Sequence, residues 1–138
     1  MKKILVTGGN GQLAKSLKAL VATKSLNNYQ FLFFDKTQFD ITNKELIETF
    51  FFSNSIDCVI NCAAYTAVDL AETEVELAFT INADGVKNLA EECALQNATL
   101  IHISTDYVFD GEKVNSEYLP DDETSPINVY GKSKLAGE

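Results

Sequence analysis

Ile4-Leu5-Val6-Thr7-Gly8-Gly9-Asn10-Gly11-Gln12-Leu13-Ala14 is the stretch that decides the fold. Three apolar residues make a short buried strand, the glycines open a turn that side chains would block, and a helical pattern starts near Gln12. The first turn of a helix carries backbone N–H groups with no intrahelical partner and the positive end of the helix dipole. The arrangement is therefore a cradle for a pyrophosphate. The glycines fit dinucleotide-binding spacing in two registers, Gly8-x-x-Gly11-x-x-Ala14 and Gly9-x-Gly11-x-x-Ala14, with Ala14 small enough to let helix lie close on strand. A plain strand–helix connector can carry the same glycines, so the residues downstream have to decide.

Leu13, Leu17, Leu20 and Val21 repeat at helical spacing and predict a first helix to about Thr23. Tyr29 to Phe34 reads as a second strand, and Asp35 stands at its end, 24 residues after Gly11. An acid at this place accepts hydrogen bonds from a dinucleotide's adenosine ribose and repels a 2′-phosphate; Lys36 beside it pulls the other way, so NADH and NADPH both remain open. Thr42-x-x-Glu45 has the spacing of a capping box and leads into Leu46, Ile47, Phe50 and Phe51, a second helix. Cys58 to Asn61 is a third strand, followed by Cys62-Ala-Ala-Tyr-Thr-Ala-Val-Asp69, small residues against whose backbone a ligand can lie. Thr73-x-x-Glu76 predicts the cap of a long helix through about Gln96, with Gly85 inside it where a close packing contact is expected. Thr99 to Ile103 is a fourth strand. Ser104-Thr105 then sits at the C-terminal edge where open α/β sheets place their ligands. Ser125-Pro126 predicts the start of a last helix, which puts Tyr130 and Lys134 on one face at i and i+4.

Strands alternating with helices four times call for an α/β domain, a doubly wound parallel sheet of the Rossmann type with about four strands. The 138 residues suit one core. Eleven Lys+Arg against twenty Asp+Glu give a formal charge of -9, which argues against nucleic acid as a partner. No apolar run reaches the length of a membrane span, and Met1-Lys2-Lys3 leads straight into a strand, so the expectation is a cytoplasmic protein without a membrane partner. Cys58, Cys62 and Cys93 lack metal-ligand spacing and have only His102 to help them. They read as buried reduced thiols, with no metal site, and His102 reads as a packed or hydrogen-bonded core histidine.

Tyr130-Gly-Lys-Ser-Lys134, taken with Ser104-Thr105 and the glycine turn, resembles the Tyr-x-x-x-Lys layout of the short-chain dehydrogenase/reductase superfamily. The words STDYVFDG (104–111), NCAAYTAVD (61–69) and SPINVYGKSKLAGE (125–138) resemble the dTDP-4-dehydrorhamnose reductase family more closely. That resemblance implies reduction, by NADPH or NADH, of the 4-keto group of a nucleotide-linked 6-deoxy sugar. It implies that Tyr130 gives a proton to the developing alkoxide, that Lys134 stabilises the phenolate and holds the nicotinamide ribose, and that Thr105 hydrogen-bonds the substrate carbonyl, with Asp106 a second substrate contact. It places Gly8, Gly11, Gln12 and Leu13 at the pyrophosphate, Asp35, Asp40 and Ile41 at the adenosine, and Ala63, Ala64 and Tyr65 at the middle of the cofactor.

In related sugar-nucleotide dehydratases two acids follow the strand-end threonine, whereas Asp106 here is followed by Tyr107, which favours simple reduction. The alternatives are an epimerase or dehydratase on the same fold and a non-catalytic, cofactor-binding regulatory subunit. Lys15-Ser16 stands where some relatives carry a metal-binding glutamate, so metal-linked dimerisation is not expected. The chain ends inside the helix of Tyr130 and Lys134, and relatives continue. The expectation is a cofactor-binding domain over residues 1–138 that is incomplete at its C-terminus, without the substrate-binding domain and inactive alone, whose uncovered apolar surface invites self-association.

Overall fold

A computed structural model describes residues 1–114 and 116–138. Four parallel strands, β1 (Lys2–Thr7), β2 (Tyr29–Phe33), β3 (Cys58–Asn61) and β4 (Thr99–His102), lie in the order β2-β1-β3-β4. Helix α1 (Gln12–Ala22) crosses from β1 to β2, and α2 (Lys44–Ser53) precedes β3. Between β3 and β4 come α3 (Val68–Ala71), α4 (Val75–Phe79), a π-helical turn (Thr80–Asp84) and α5 (Gly85–Gln96). A 3-10 turn (Asp106–Val108) and α6 (Val129–Gly137) complete the chain. This is the doubly wound α/β sheet that the alternation of patterns predicts.

The pleat sorts the strands into two faces. Leu5, Val59 and Leu100 share one of them, where Ile47, Phe51 and Leu89 from α2 and α5 close the larger core. Each such fully buried side chain stabilises the fold by about 1.5–3 kcal/mol. Ile4, Val6 and Ile60 face the other way, onto Ala14 and Leu17 of α1. The same register, followed to the C-terminal edge, pairs Thr7 with Asn61 and Asn61 with His102. The larger core therefore ends in a row of three polar side chains. Among the described residues β4 pairs with β3 alone, and Ile101 is 45% exposed on the α1 side.

Helix starts differ from the expected ones in three places. Asn43, not Thr42, caps α2, accepting from Leu46 N at 3.0 Å; the Thr42 hydroxyl is turned back onto Asp40 Oδ1. The long helix begins after Glu74, since the Thr73 hydroxyl donates to Leu70 O at the end of α3. Asn128, not Ser125, caps α6 through Gly131 N at 2.7 Å; Ser125 N–H is already used on Val108 O, which ties that segment to the 3-10 turn. At α2 and α6 a nearby asparagine held the better-placed acceptor, whereas Glu74 starts α4 with no side-chain cap. The contact expected at Gly85 is present, for a Cβ there would lie 2.8 Å from Ile41 Cγ1. Of the three cysteines, all free thiols, only Cys93 is buried; Cys58 and Cys62 are half-buried.

Candidate active site

The trough begins where β1 meets its glycine turn. Gly8 has φ +64°, and a Cβ on it would fall 2.7 Å from Ala63 N, so the turn can press against the end of β3 only because that atom is missing. Gly9 N–H donates to Phe34 O and Gly11 N–H to Gly8 O, both at 2.8 Å, which fixes the turn on β2 and on itself. No side chain caps α1, and its first intrahelical bond runs from Lys15 N to Gly11 O. The N–H groups of Gln12, Leu13 and Ala14 precede that bond and point out of the helix start.

Asp35 organises the loop after β2. Its Oδ1 accepts from Thr37 Oγ1 (2.6 Å), Thr37 N (2.9 Å) and Gln38 N (3.2 Å), and its Oδ2 accepts from Asn10 Nδ2 (2.9 Å). The Thr37 hydroxyl does most to hold this carboxyl below its ordinary pKa. A cleft of about 280 Å³ runs from Gly8 past Asp35 to Asp40 and Ile41. A second, of about 650 Å³, runs from Gln12 and Leu13 to Ser104, Tyr130 and Lys134. The two share Gly11, Cys62, Ala63 and Ala64, so they form one trough over the sheet edge.

At its far end α6 is held close to the loop after β4, because a Cβ on Gly131 would overlap the Tyr107 carbonyl oxygen. The Tyr107 ring meets the Tyr130 ring edge-on, with centroids 5.6 Å apart. Lys134 is only 2% exposed; its Nζ donates to Ile103 O (2.5 Å) and lies 3.3 Å from His102 Nε2. Burial lowers the pKa of Lys134, opposed by the Glu138 carboxylate. Burial, then the nearby Lys134 charge, push His102 down to about 4.

Three expected site residues stand apart. Tyr65 lies outside both clefts; its hydroxyl donates to Glu74 Oε2 (2.6 Å), which drives the phenol's pKa up to about 12. Thr105 lines neither cleft: its Oγ1 accepts from Tyr107 N and donates to Asp106 Oδ1, each at 3.3 Å. Asp106 borders a separate depression with Phe109 and Tyr118. The other expected residues, Gly8, Gly11, Gln12, Leu13, Asp35, Asp40, Ile41, Ala63, Ala64, Tyr130 and Lys134, all line the trough.

Several residues with a part in the site were not singled out for it. Asn10 braces Asp35. Asn82, 1% exposed in the π-helical turn, accepts from Tyr65 N (2.8 Å) and donates to Tyr65 O (3.0 Å) and Ser133 Oγ (2.9 Å), joining the loop after β3 to α6. Its signal was a polar residue on the apolar stripe of a long helix. Asn61 stands in the sequence only as a strand end. The hydrogen-bonded histidine expected at His102 is there, half-buried, and its ring nitrogens face Asn61 and Lys134.

A family profile described as RmlD substrate binding domain matches residues 1–138 in full. The chain belongs to the RmlD substrate binding domain family. Among its relatives in that family's range, the dTDP-4-dehydrorhamnose reductase of Aggregatibacter actinomycetemcomitans is 44% identical over 138 residues, all of this chain and 46% of the relative. That of Mycolicibacterium smegmatis is 45% identical over 99% of this chain and 40% of its own length. The crystal structure of the Bacillus anthracis dTDP-4-dehydrorhamnose reductase in complex with NADP superposes with a TM-score of 0.92 at 42% identity, covering 99% of this chain and 48% of that one. The chain thus spans less than half the length of these relatives. No described helix is long and apolar enough to cross a membrane.

Proposed function

We propose that this chain is the cofactor-binding part of an NAD(P)H-dependent reductase acting on the 4-keto group of a nucleotide-linked 6-deoxy sugar, dTDP-4-dehydro-L-rhamnose, to give dTDP-L-rhamnose. The observation that carries the reading is the single trough joining the uncapped start of α1 and Asp35 to Tyr130 and Lys134. Its residues fit a dinucleotide: the turn at Gly8 is a cradle that a Cβ would fill, and the free N–H groups at the α1 start suit a pyrophosphate in a chain of net charge -9. The relatives named above support the choice of substrate.

The cofactor, when bound, supplies the hydride. Gln12 and Leu13 hold its pyrophosphate through their N–H groups, Asp35 accepts from the adenosine ribose beside Asp40 and Ile41, and Ala63 and Ala64 leave room for its middle. Lys134 donates to the ribose next to the nicotinamide. Tyr130 gives its proton to the substrate oxygen as charge builds there, with its ring steadied by Tyr107. Thr105 donates to the same oxygen, for which its hydroxyl has to turn away from the Asp106 carboxylate.

The test has two arms. NADPH and NADH are titrated into this chain, and loss of nicotinamide absorbance with dTDP-4-dehydro-L-rhamnose is followed for this chain and for the same chain joined to the second half of the Aggregatibacter reductase. Binding by the chain with turnover only by the joined protein is the expected result. Absence of cofactor binding, or a joined protein that binds cofactor and does not turn over, would overturn the reading.

A further inference from the structure

Two acids at the joint between α3 and α4 reach the two elements that border the wider cleft. Glu72 and Glu74 flank Thr73, and the joint closes on one carbonyl, Leu70 O, which accepts from Thr73 N, Glu74 N and the Thr73 hydroxyl. Its backbone is satisfied without either carboxylate. Glu74 Oε2 accepts from the Tyr65 hydroxyl, on the loop after β3. Glu72 Oε1 accepts from Val129 N at 2.8 Å, across 57 residues of chain, at the start of α6. The N–H groups of Val129, Tyr130 and Gly131 precede the first intrahelical bond, from Lys132 N to Asn128 O. Asn128 serves Gly131, so Val129 is left to a carboxylate from another element, whose charge suits the positive end of the helix. Tyr130 stands between these two held residues.

We propose that Glu72 is a positioning residue for Tyr130: by holding Val129 N–H it fixes where the first turn of α6 sits, and so where the phenol meets the substrate oxygen. The rest of α6 has its own supports. Asn82 donates to Ser133 Oγ, and a Cβ on Gly137 would overlap the Asn82 carbonyl oxygen, so the Lys134 half of the helix rests on the π-helical turn. Among the described residues the Glu72 bond is the one hydrogen bond that ties the first turn to a distant element. The consequence for chemistry rests on the reductase reading. A reacting group misplaced by about 1 Å can cost about 100-fold in rate, and the loss of one anchoring bond, with Asn128 and the Tyr107 contact still in place, should cost about tenfold. The glycine turn and Asp35 belong to other elements, so cofactor affinity should not follow.

The first arm of the test uses this chain without cofactor or substrate, so it stands or falls separately from the reductase reading. Amide hydrogen exchange is followed in the wild type, Glu72→Ala and Glu72→Gln; Glu72 is exposed, so all three are expected to fold. Val129 N–H should be protected in the wild type and exchange about tenfold faster or more in Glu72→Ala, with the amides of α1 unchanged. Glu72→Gln should keep most of the protection, because its amide oxygen still accepts. The second arm is the joined enzyme. There kcat should fall about tenfold in Glu72→Ala while KM for the sugar and affinity for NADPH stay within about twofold, and Glu72→Gln should return kcat to within about threefold of wild type. A general loosening of the fold would instead weaken affinity along with kcat and would not be rescued by the amide. An unprotected Val129 N–H in the wild type, a wild-type kcat in Glu72→Ala, or an equal loss of kcat in the two variants would overturn the proposal.

Discussion

The two ends of the trough are built by different means. At the Asp35 end many of the partners are near in sequence, Gly11 with Gly8 and Asp35 with Thr37 and Gln38, each within three residues, beside two bonds from the glycine turn to the β2 end that span 25. At the Lys134 end every decisive pair is distant, with Thr7 and Asn61 54 residues apart, Asn61 and His102 41, and His102 and Lys134 32. Local turns shape the first end, and it is closed against its surroundings by main-chain and short polar contacts: Gly9 N–H on Phe34 O, Asn10 on Asp35 and Gly8 against Ala63. The second exists only once the parallel register has brought three strands and α6 together.

The largest effect should come from the one atom the near end cannot accept. Gly8→Ala places a Cβ among Ala63 N, Ala63 Cα and Cys62 C, all within 2.8 Å, on a backbone with φ +64°. Backbone strain and overlap with a main chain that cannot move aside should together destabilise the fold by about 3 to 4 kcal/mol. Urea unfolding measures this, and NADPH titration of whatever folded protein remains should show a lost cradle. A Gly8→Ala protein with near-native stability and affinity would mean that the turn is not pressed against β3.

Next comes a change at the far end. Asn82→Ala leaves Tyr65 N–H, Tyr65 O and Ser133 Oγ each without their buried partner. The cost should be about 2 to 3 kcal/mol, and hydrogen exchange should quicken in α6 and around Tyr65 more than in α1. Equal acceleration at both ends would erase the distinction between them.

The same contrast explains what could be read without coordinates. The glycine spacing, the alternation of strand and helix and the acid after β2 are local signals, so the sheet and about half of the trough lining were legible. The caps of α2 and α6 were displaced because neighbouring polar residues compete for the same N–H groups, and only three-dimensional placement decides between Thr42 and Asn43. Asn61 and His102 look like unremarkable polar residues at two strand ends. Their partnership is set by the pairing of β3 with β4, which spacing does not express. The π-helical turn that points Asn82 inward is equally silent in an ordinary helical pattern.

Acid should act chiefly on the far end. His102 titrates at about 4 in the folded chain against about 6.5 in an unfolded one, so below the latter the unfolded state binds a proton that the folded state refuses. Stability from this residue is present in full above the higher value and is lost as pH falls toward the lower. Melting temperature should therefore drop between these values, and His102→Gln should flatten that slope. The low-lying carboxyls of Asp35, Asp110 and Asp122 add a loss of the same sign only at lower pH, below their unfolded range. A wild-type slope unchanged by His102→Gln would remove the histidine from the account.

The smallest effect on the fold should come from Asp35→Asn. The amide oxygen can still accept from Thr37 N and Oγ1, and the group is exposed, so melting should barely change. The Asn10 bond is replaced by two nitrogens facing each other, but both side chains are free to turn into solvent. What the substitution removes is negative charge at the place where a ribose 2′-phosphate would sit, next to Lys36. If the near end binds the adenosine as proposed, affinity for NADPH should rise relative to NADH by about tenfold, roughly the effect of lifting one like-charge contact at a solvent-exposed site. An unchanged ratio, in a protein that still binds both, would place the 2′ position away from Asp35 and return the choice of cofactor to other residues of the cleft.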